Sequence, residues 1–256
     1  MTHDLKKRLR SRKRIFGCWS SLGHPSITEI FAKSGADFTT VDMEHTSITH
    51  PEAQRMIAAS QAEGVPALAR VSSHNPEQIR RLLDHGADGI LVPNVSREEE
   101  VRKIAEWILY PTAGKRGFGV ARAQGYGLEF GPYTSEWNRR AVLILQIESV
   151  EGVEACDRLL SHPAVDGVMV GPYDISGSLG IPGQIDHPRV QKACAKVIAA
   201  AAKRGKACGT QVVEPTPARV SLAFKRGFTF VILASDIFIL WKWDEAMGKI
   251  IRGSRR

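Results

Sequence analysis

Short apolar runs recur along the chain and alternate with stretches whose apolar residues repeat at helical spacing. Residues 15–20, 38–43, 66–71, 89–93, 142–148, 167–171, 206–211 and 228–234 read as buried strands, rich in β-branched and apolar side chains. Between them, residues 76–85, 96–109, 188–204 and 216–226 carry the pattern of amphipathic helices. Several helices run into a glycine just before the next strand, at Gly35, Gly64, Gly86, Gly205 and Gly227. That is a left-handed helix stop followed by a short loop. Eight alternating units without a break in composition predict one α/β domain over residues 1–256, a (β/α)8 or TIM barrel. A doubly wound open sheet shares this periodicity and stays open at this stage. One span is anomalous. Residues 110–140 are long and Gly-rich and are expected to form an elaborated loop over one mouth of the barrel.

In a barrel, chemistry lies at the carboxyl ends of the strands. Those positions carry Trp19, Asp42 with Glu44 and His45, Arg70, Asn94, Gln146 with Glu148, Asp174, and Gln211, whereas the strand starts carry few polar groups. Side chains alternate along a strand, so Gln146 and Glu148 share a face. Neighbouring strands lie about 4.8 Å apart, close enough for Glu148 and Asp174 to share one hard, oxygen-seeking cation. Singly, each carboxylate reads more readily as a helix cap or ion-pair partner. As a pair beside Gln146 and the Gly171-Pro172 turn, they favour a divalent metal site. His45, next to two carboxylates, is a candidate base. Arg70 ends an apolar strand and needs an anionic partner, either Asp42 or Glu44 or a substrate carboxylate or enolate. No strand end carries a lysine, and Lys206 falls at a strand start, so imine chemistry is disfavoured. His50, His74, His85, His162 and His187 show no metal spacing.

Composition narrows the partners. Hydrophobic content of 43% and charged content of 24% are ordinary for a globular protein. The net charge of +8 comes from the ends, where Lys6, Lys7, Arg8, Arg10, Arg12, Lys13 and Arg14 precede the first strand and Arg252, Arg255 and Arg256 stand at the end. Solvated tails explain this better than a nucleic-acid face. Four scattered cysteines, with no Cys-x-x-Cys pair, read as reduced buried thiols. No segment resembles a signal core or a membrane span, so a cytoplasmic protein is expected. Gly114-Lys115-Arg116-Gly117-Phe118-Gly119 lacks the ending of a phosphate loop and reads as a lid or substrate-facing segment.

Val41-Asp42-Met43-Glu44-His45, Ala69-Arg70, Leu82-Leu83-Asp84, Leu91-Val92-Pro93, Tyr110-Pro111 through Arg116-Gly117, Gln146-Ile147-Glu148 and Gly171-Pro172-Tyr173-Asp174 together resemble the HpcH/HpaI family of metal-dependent class II pyruvate aldolases. The resemblance implies a barrel with Mg²⁺, Mn²⁺ or Co²⁺ on Glu148 and Asp174. It further implies His45 as the base, Arg70 as stabiliser of the enolate, and Asp84 as the group that raises the basicity of His45. Gln146 and the turn Gly171-Pro172-Tyr173 would contact the keto-acid. Tyr173 is larger than the residue the family often has there. Asp42 joins the catalytic set and Trp19 the substrate-binding set. The implied activity is reversible aldol addition of pyruvate or hydroxypyruvate to an aldehyde. The rivals are another enolate-forming lyase, acting on a CoA ester or resembling macrophomate synthase, and an idle keto-acid-binding homologue. Asp84 falls at the carboxyl end of its helix, the end remote from the mouth and the wrong end of the helix dipole for a carboxylate. A role beside His45 therefore requires a neighbouring subunit, and the expectation is a homo-oligomer, a hexamer by resemblance, with composite active sites.

Overall fold

The computed structural model describes residues 5–255. Its strands are β1 (Ile15–Ser20), β2 (Phe38–Asp42), β3 (Ala67–Arg70), β4 (Gly89–Val92), β5 (Val142–Ile147), β6 (Gly167–Val170), β7 (Ala207–Val212) and β8 (Phe230–Leu233). All are parallel, each pairs with the next in sequence, and β8 pairs back to β1 with Ile15 opposite Phe230 and Gly17 opposite Ile232. That closure makes the sheet a (β/α)8 barrel and removes the open-sheet alternative. The helices are α1 (Leu5–Arg10), α2 (Pro25–Lys33), α3 (His50–Ala62), α4 (Pro76–Asp84), α5 (Glu98–Ile108), α6 (Phe130–Arg140), α7 (Val150–Leu159), α8 (Pro172–Ser178), α9 (Pro188–Lys203), α10 (Pro217–Lys225) and α11 (Asp236–Ser254).

Local chemistry sets these boundaries. The Asn75 side chain accepts from the amides of Glu77 and Gln78, Glu52 closes a capping box with Thr49, and prolines open α2, α4, α9 and α10. The five glycines expected to stop helices all have positive φ. Two apolar layers result. One lies between strands and helices, built from side chains such as Val41, Ile90, Leu143 and Val231. The other fills the lumen with Trp19, Phe38, Leu68, Leu91, Ile144 and Phe230.

The basic N-terminal segment departs from the expected solvated tail. Leu5 and Leu9 of α1 are buried in the lumen layer, so the helix closes the base of the barrel. Lys6 Nζ donates to Ala141 O at 2.6 Å and to Asp166 Oδ2 at 2.8 Å, and Arg10 Nε donates to Asp166 Oδ1 at 2.8 Å. Arg8 pairs with Asp37 at 2.5 Å, and Arg12 donates to the carbonyl of Lys206. These cations neutralise carboxylates and cap carbonyls at the strand starts. At the other end, Arg252 and Arg255 are exposed on or just after α11, while residues 1–4 and Arg256 lie outside the described residues.

The anomalous span also differs from expectation. It contains a 3₁₀ turn at Arg122–Gly127 and the helix α6. It connects the end of α5 to the start of β5, which places it at the base and away from its own subunit's mouth. Arg116 is not a flexible lid residue. Its guanidinium is buried, stacks over Tyr110 and Trp137 at 4.7 and 4.6 Å, and donates to Asp84 at 2.9 Å.

Asp166 is the anchor of the base. It is fully buried and accepts from Lys6, Arg10 and the Leu143 amide at 3.0 Å. Removing its carboxylate strands a buried ammonium, so Asp166→Ala should lose about 3 kcal/mol in denaturant unfolding. A loss below about 1 kcal/mol would show that α1 contributes no more than a surface tail.

Candidate active site

At the mouth, β2 and β3 end level with each other, with Asp42 opposite Arg70. Arg70 Nε and Nη2 donate to the two oxygens of Asp42 at 2.9 and 2.7 Å, a bidentate fork. A third nitrogen lies 2.9 Å from Glu44 Oε2, in ionic contact without hydrogen-bond alignment. The Trp19 ring lies under the guanidinium at 4.7 Å, and its Nε1 points at Asp42 from 3.4 Å. Both carboxylates thus hold Arg70 in the apo protein. Burial pushes the Asp42 carboxyl up, but the hydrogen bonds and charge of Arg70 outweigh it, and the net shift is downward. Glu44 shifts upward, chiefly through burial, and the charges of Asp42 and Asp174 add to it against those of Arg70 and His45.

Across the mouth, no Lys, Arg or His side chain among the described residues pairs with Glu148. Its Oε1 accepts from the Asn94 amide at 2.7 Å and its Oε2 from Gln146 Nε2 at 2.7 Å. Asn94 adopts φ of +50° to aim that amide, a conformation asparagine tolerates. Gly171 has no Cβ; one would sit 3.2 Å from Asp174 Oδ2 and 3.3 Å from Glu148 Oε2, so the two carboxylates flank one point. Burial, then the charges of Asp174 and Glu44, push Glu148 up to about 7. Neither acid is a helix cap, because Ser149 caps α7 and Gly171 stands at the cap of α8. Asp174 lies instead in the first turn of α8, where the helix dipole favours a carboxylate.

These donors fit a hard divalent ion. They are carboxylate oxygens, they repel one another without a cation, and the Oε1 of neighbouring Gln146 is buried with no partner. Among the described residues no cluster of three or more His, Cys, Asp or Glu side chains is placed for a metal. Glu148 and Asp174 are the residues that could hold such an ion.

The remaining sequence candidates separate. His45 sits in the loop after β2 with its ring exposed, 3.8 Å from Glu44 Oε2. Its nearest carboxylate is thus Glu44 and not Asp42, which Arg70 has claimed. Pro172 opens α8, and Tyr173 follows it, 56% exposed at the mouth. Asp84 is at the base end of α4, ion-paired to Arg116 and away from its own His45. Lys206, which immediately precedes β7, donates to Val165 O at 2.6 Å and has no access to the mouth. Sequence reasoning offered Glu44 only as an alternative to Asp42 for Arg70; the structure places both acids on that guanidinium.

A barrel with a sealed base and a polar mouth, its charged side chains gathered at the carboxyl ends of β2, β3, β5 and β6, has the architecture of a TIM-barrel enzyme. Residues 15–242 match the family model for HpcH/HpaI aldolase/citrate lyase, and the chain belongs to that family. It is 34% identical over 243 residues to a hydroxypyruvate/pyruvate aldolase of Paraburkholderia phytofirmans, covering 92% of each chain. It is also 34% identical to a 5-keto-4-deoxy-D-glucarate aldolase of Citrobacter koseri, over 92% of this chain and 91% of the relative. An HpcH/HpaI aldolase/citrate lyase family protein from Burkholderia cenocepacia superposes with a TM-score of 0.91 at 29% identity, covering 98% of this chain and all of the other. The chain is an aldolase, a carbon–carbon lyase.

The raised Glu148 has a measurable consequence for the metal-free protein. Its folded value of about 7 lies above the unfolded value of 4.5, so ionising it costs folding free energy above pH 4.5, and the full cost is present above pH 7. Glu148→Gln should therefore stabilise the chelated protein at pH 8 by about 1–2 kcal/mol after allowance for solvent, a few degrees in melting temperature, with the gain vanishing by pH 5. Coincident melting curves of wild type and variant across that range would refute the strained-carboxylate assignment.

Proposed function

We propose that the chain catalyses the reversible aldol addition of pyruvate or hydroxypyruvate to an aldehyde, giving 4-hydroxy-2-oxo acids, with Mg²⁺, Mn²⁺ or Co²⁺ held by Glu148 and Asp174. The observation that carries this reading is the pair of carboxylates at the ends of β5 and β6, unneutralised and facing an arginine already oriented by two others. When bound, the cation supplies Lewis acidity toward the keto oxygen of the donor. The protein's own groups do the rest. Arg70, fixed by Asp42, Glu44 and Trp19, presents a rigid cation to the negative charge that develops on the donor. Gln146 must turn its amide away from Glu148 to donate to the donor carboxylate, because its free Oε1 is only an acceptor. His45, exposed beside Glu44, takes the proton of the product hydroxyl in cleavage and returns it in addition. Gly171, Pro172 and Tyr173 form the wall beside the carboxylates.

The partner reading is a homo-oligomer, a hexamer by family resemblance, with Asp84 completing the site of a neighbouring copy. The base-end position of Asp84 supports it, as do the exposed apolar side chains Ile239, Leu240, Trp241, Trp243, Ile250 and Ile251 of α11. Four buried free thiols, with no helix among the described residues long and apolar enough to cross a membrane, support a reducing, cytoplasmic setting.

Exchange of the pyruvate methyl protons with deuterated water tests the activity. Wild type with Mg²⁺ or Mn²⁺ should exchange, chelator should stop it, and Arg70→Ala should slow it by at least about 100-fold. Exchange that persists in chelator or in a Glu148→Gln, Asp174→Asn double variant would refute the metal assignment. No exchange at all would leave a keto-acid binder.

Subunit mixing tests the composite site. Asp84→Ala and His45→Ala proteins, each inactive, should regain part of the cleavage activity on re-association, since mixed oligomers contain some sites with both residues intact. No recovery in mass-verified mixed oligomers, or a fully active monomer, would reject the trans arrangement.

A further inference from the structure

Gln211 stands at the carboxyl end of β7 and takes no part in the clamp or the metal pair. Along β7, Ala207 lies in the lumen layer and Cys208 in the helix-side layer. Alternation therefore turns Gly209 and Gln211 to the lumen. Gly209 confirms the direction, because a Cβ there would run into the Phe230 ring. The ladder pairs Met169 with Gly209, so Gln211 is level with Gly171, one strand from the point that Glu148 and Asp174 flank.

The amide of Gln211 has one possible orientation. Its Nε2 lies 3.1 Å from the carbonyl of Ala234, and a carbonyl only accepts, so nitrogen faces β8 and Oε1 faces away. Ala234 itself has φ of +56°, rare for alanine, and its own amide is tied to Val212 O at 3.0 Å. Among the described residues no donor reaches Oε1, which leaves a fixed, half-buried acceptor at the mouth. Closing the site over it with an apolar group would leave it unpaired, which is unfavourable. Pyruvate has no donor to offer it, so with pyruvate as the donor substrate the unmet acceptor is left to the aldehyde.

We infer that Gln211 is a specificity-determining residue for the aldehyde, accepting a hydrogen bond from a hydroxyl group on it and so selecting hydroxylated aldehydes over apolar ones of equal size. The inference rests on the aldolase reading above. A site built to bond a substrate hydroxyl discriminates strongly against the analogue that lacks it.

The test uses full-length, metal-loaded enzyme with pyruvate as donor and compares kcat/KM for glycolaldehyde with that for propionaldehyde, its near-isostere. Wild type should prefer glycolaldehyde, and the preference should fall by about tenfold in Gln211→Leu and in Gln211→Met, with melting temperatures reporting that both variants are folded. An unchanged ratio in the folded variants overturns the inference. So does a loss confined to hydroxypyruvate as donor, which would place the hydroxyl contact on the donor side. Pyruvate methyl exchange in wild type separates the two layers: its absence overturns the aldolase reading and this inference with it, whereas exchange with an unchanged ratio overturns only the role of Gln211.

Discussion

The site is organised by an imbalance of charge. Asp42, Glu44, Glu148 and Asp174 all stand at one mouth, and the buried guanidinium of Arg70 binds only the first two. Those two acids are spent on orientation. The other two repel each other across Gly171, and the protein supplies only an amide N–H and a glutamine as relief. A hard cation shared by both, as proposed above, would resolve that field. Arg70 cannot migrate to them, because three oxygens and an indole ring already fix it.

Stability is kept at the opposite end. The lumen is packed from Phe230 down to Leu5 and Leu9, and the base is closed by α1 over the fully buried Asp166. The long segment after α5 adds a second rigid feature there, with Arg116 sandwiched among aromatic rings and paired to Asp84. A mouth that carries unpaired carboxylates and bent backbone at Asn94 and Ala234 is costly to fold. A base with saturated ion pairs offsets that cost without touching the chemistry.

The eight strands and their polar ends were legible because each is an apolar run that stops on a polar group, a pattern buried parallel strands produce directly. That Arg70 needs an anion was legible for the same reason, with Asp42 and Glu44 the candidates within the chain. Two features were not. The basic start looked like a solvated tail since only tertiary structure reveals that Asp166 and Asp37 wait at the strand starts. Residues 110–140 looked like a lid because glycines suggest mobility, yet the helix α5 preceding them runs toward the base and carries them there. Spacing put His45 beside two carboxylates without choosing between them, and the structure leaves Glu44 beside the imidazole because Arg70 takes both oxygens of Asp42.

The two sides of the mouth also separate in their response to pH. Asp42 is shifted down by Arg70, so that bidentate pair stays ionised throughout the neutral range. Glu148 is shifted up to about 7, chiefly by burial, so without a cation it takes on a proton as the pH falls through neutrality. Under the reading proposed above, proton and cation would compete for that carboxylate, while the pairing of Asp42 with Arg70 would be unaffected. Environments that push like groups in opposite directions mark a division of labour. Here one acid is tied to a guanidinium and the other is not, and the physical distinction between them is which one Arg70 reaches.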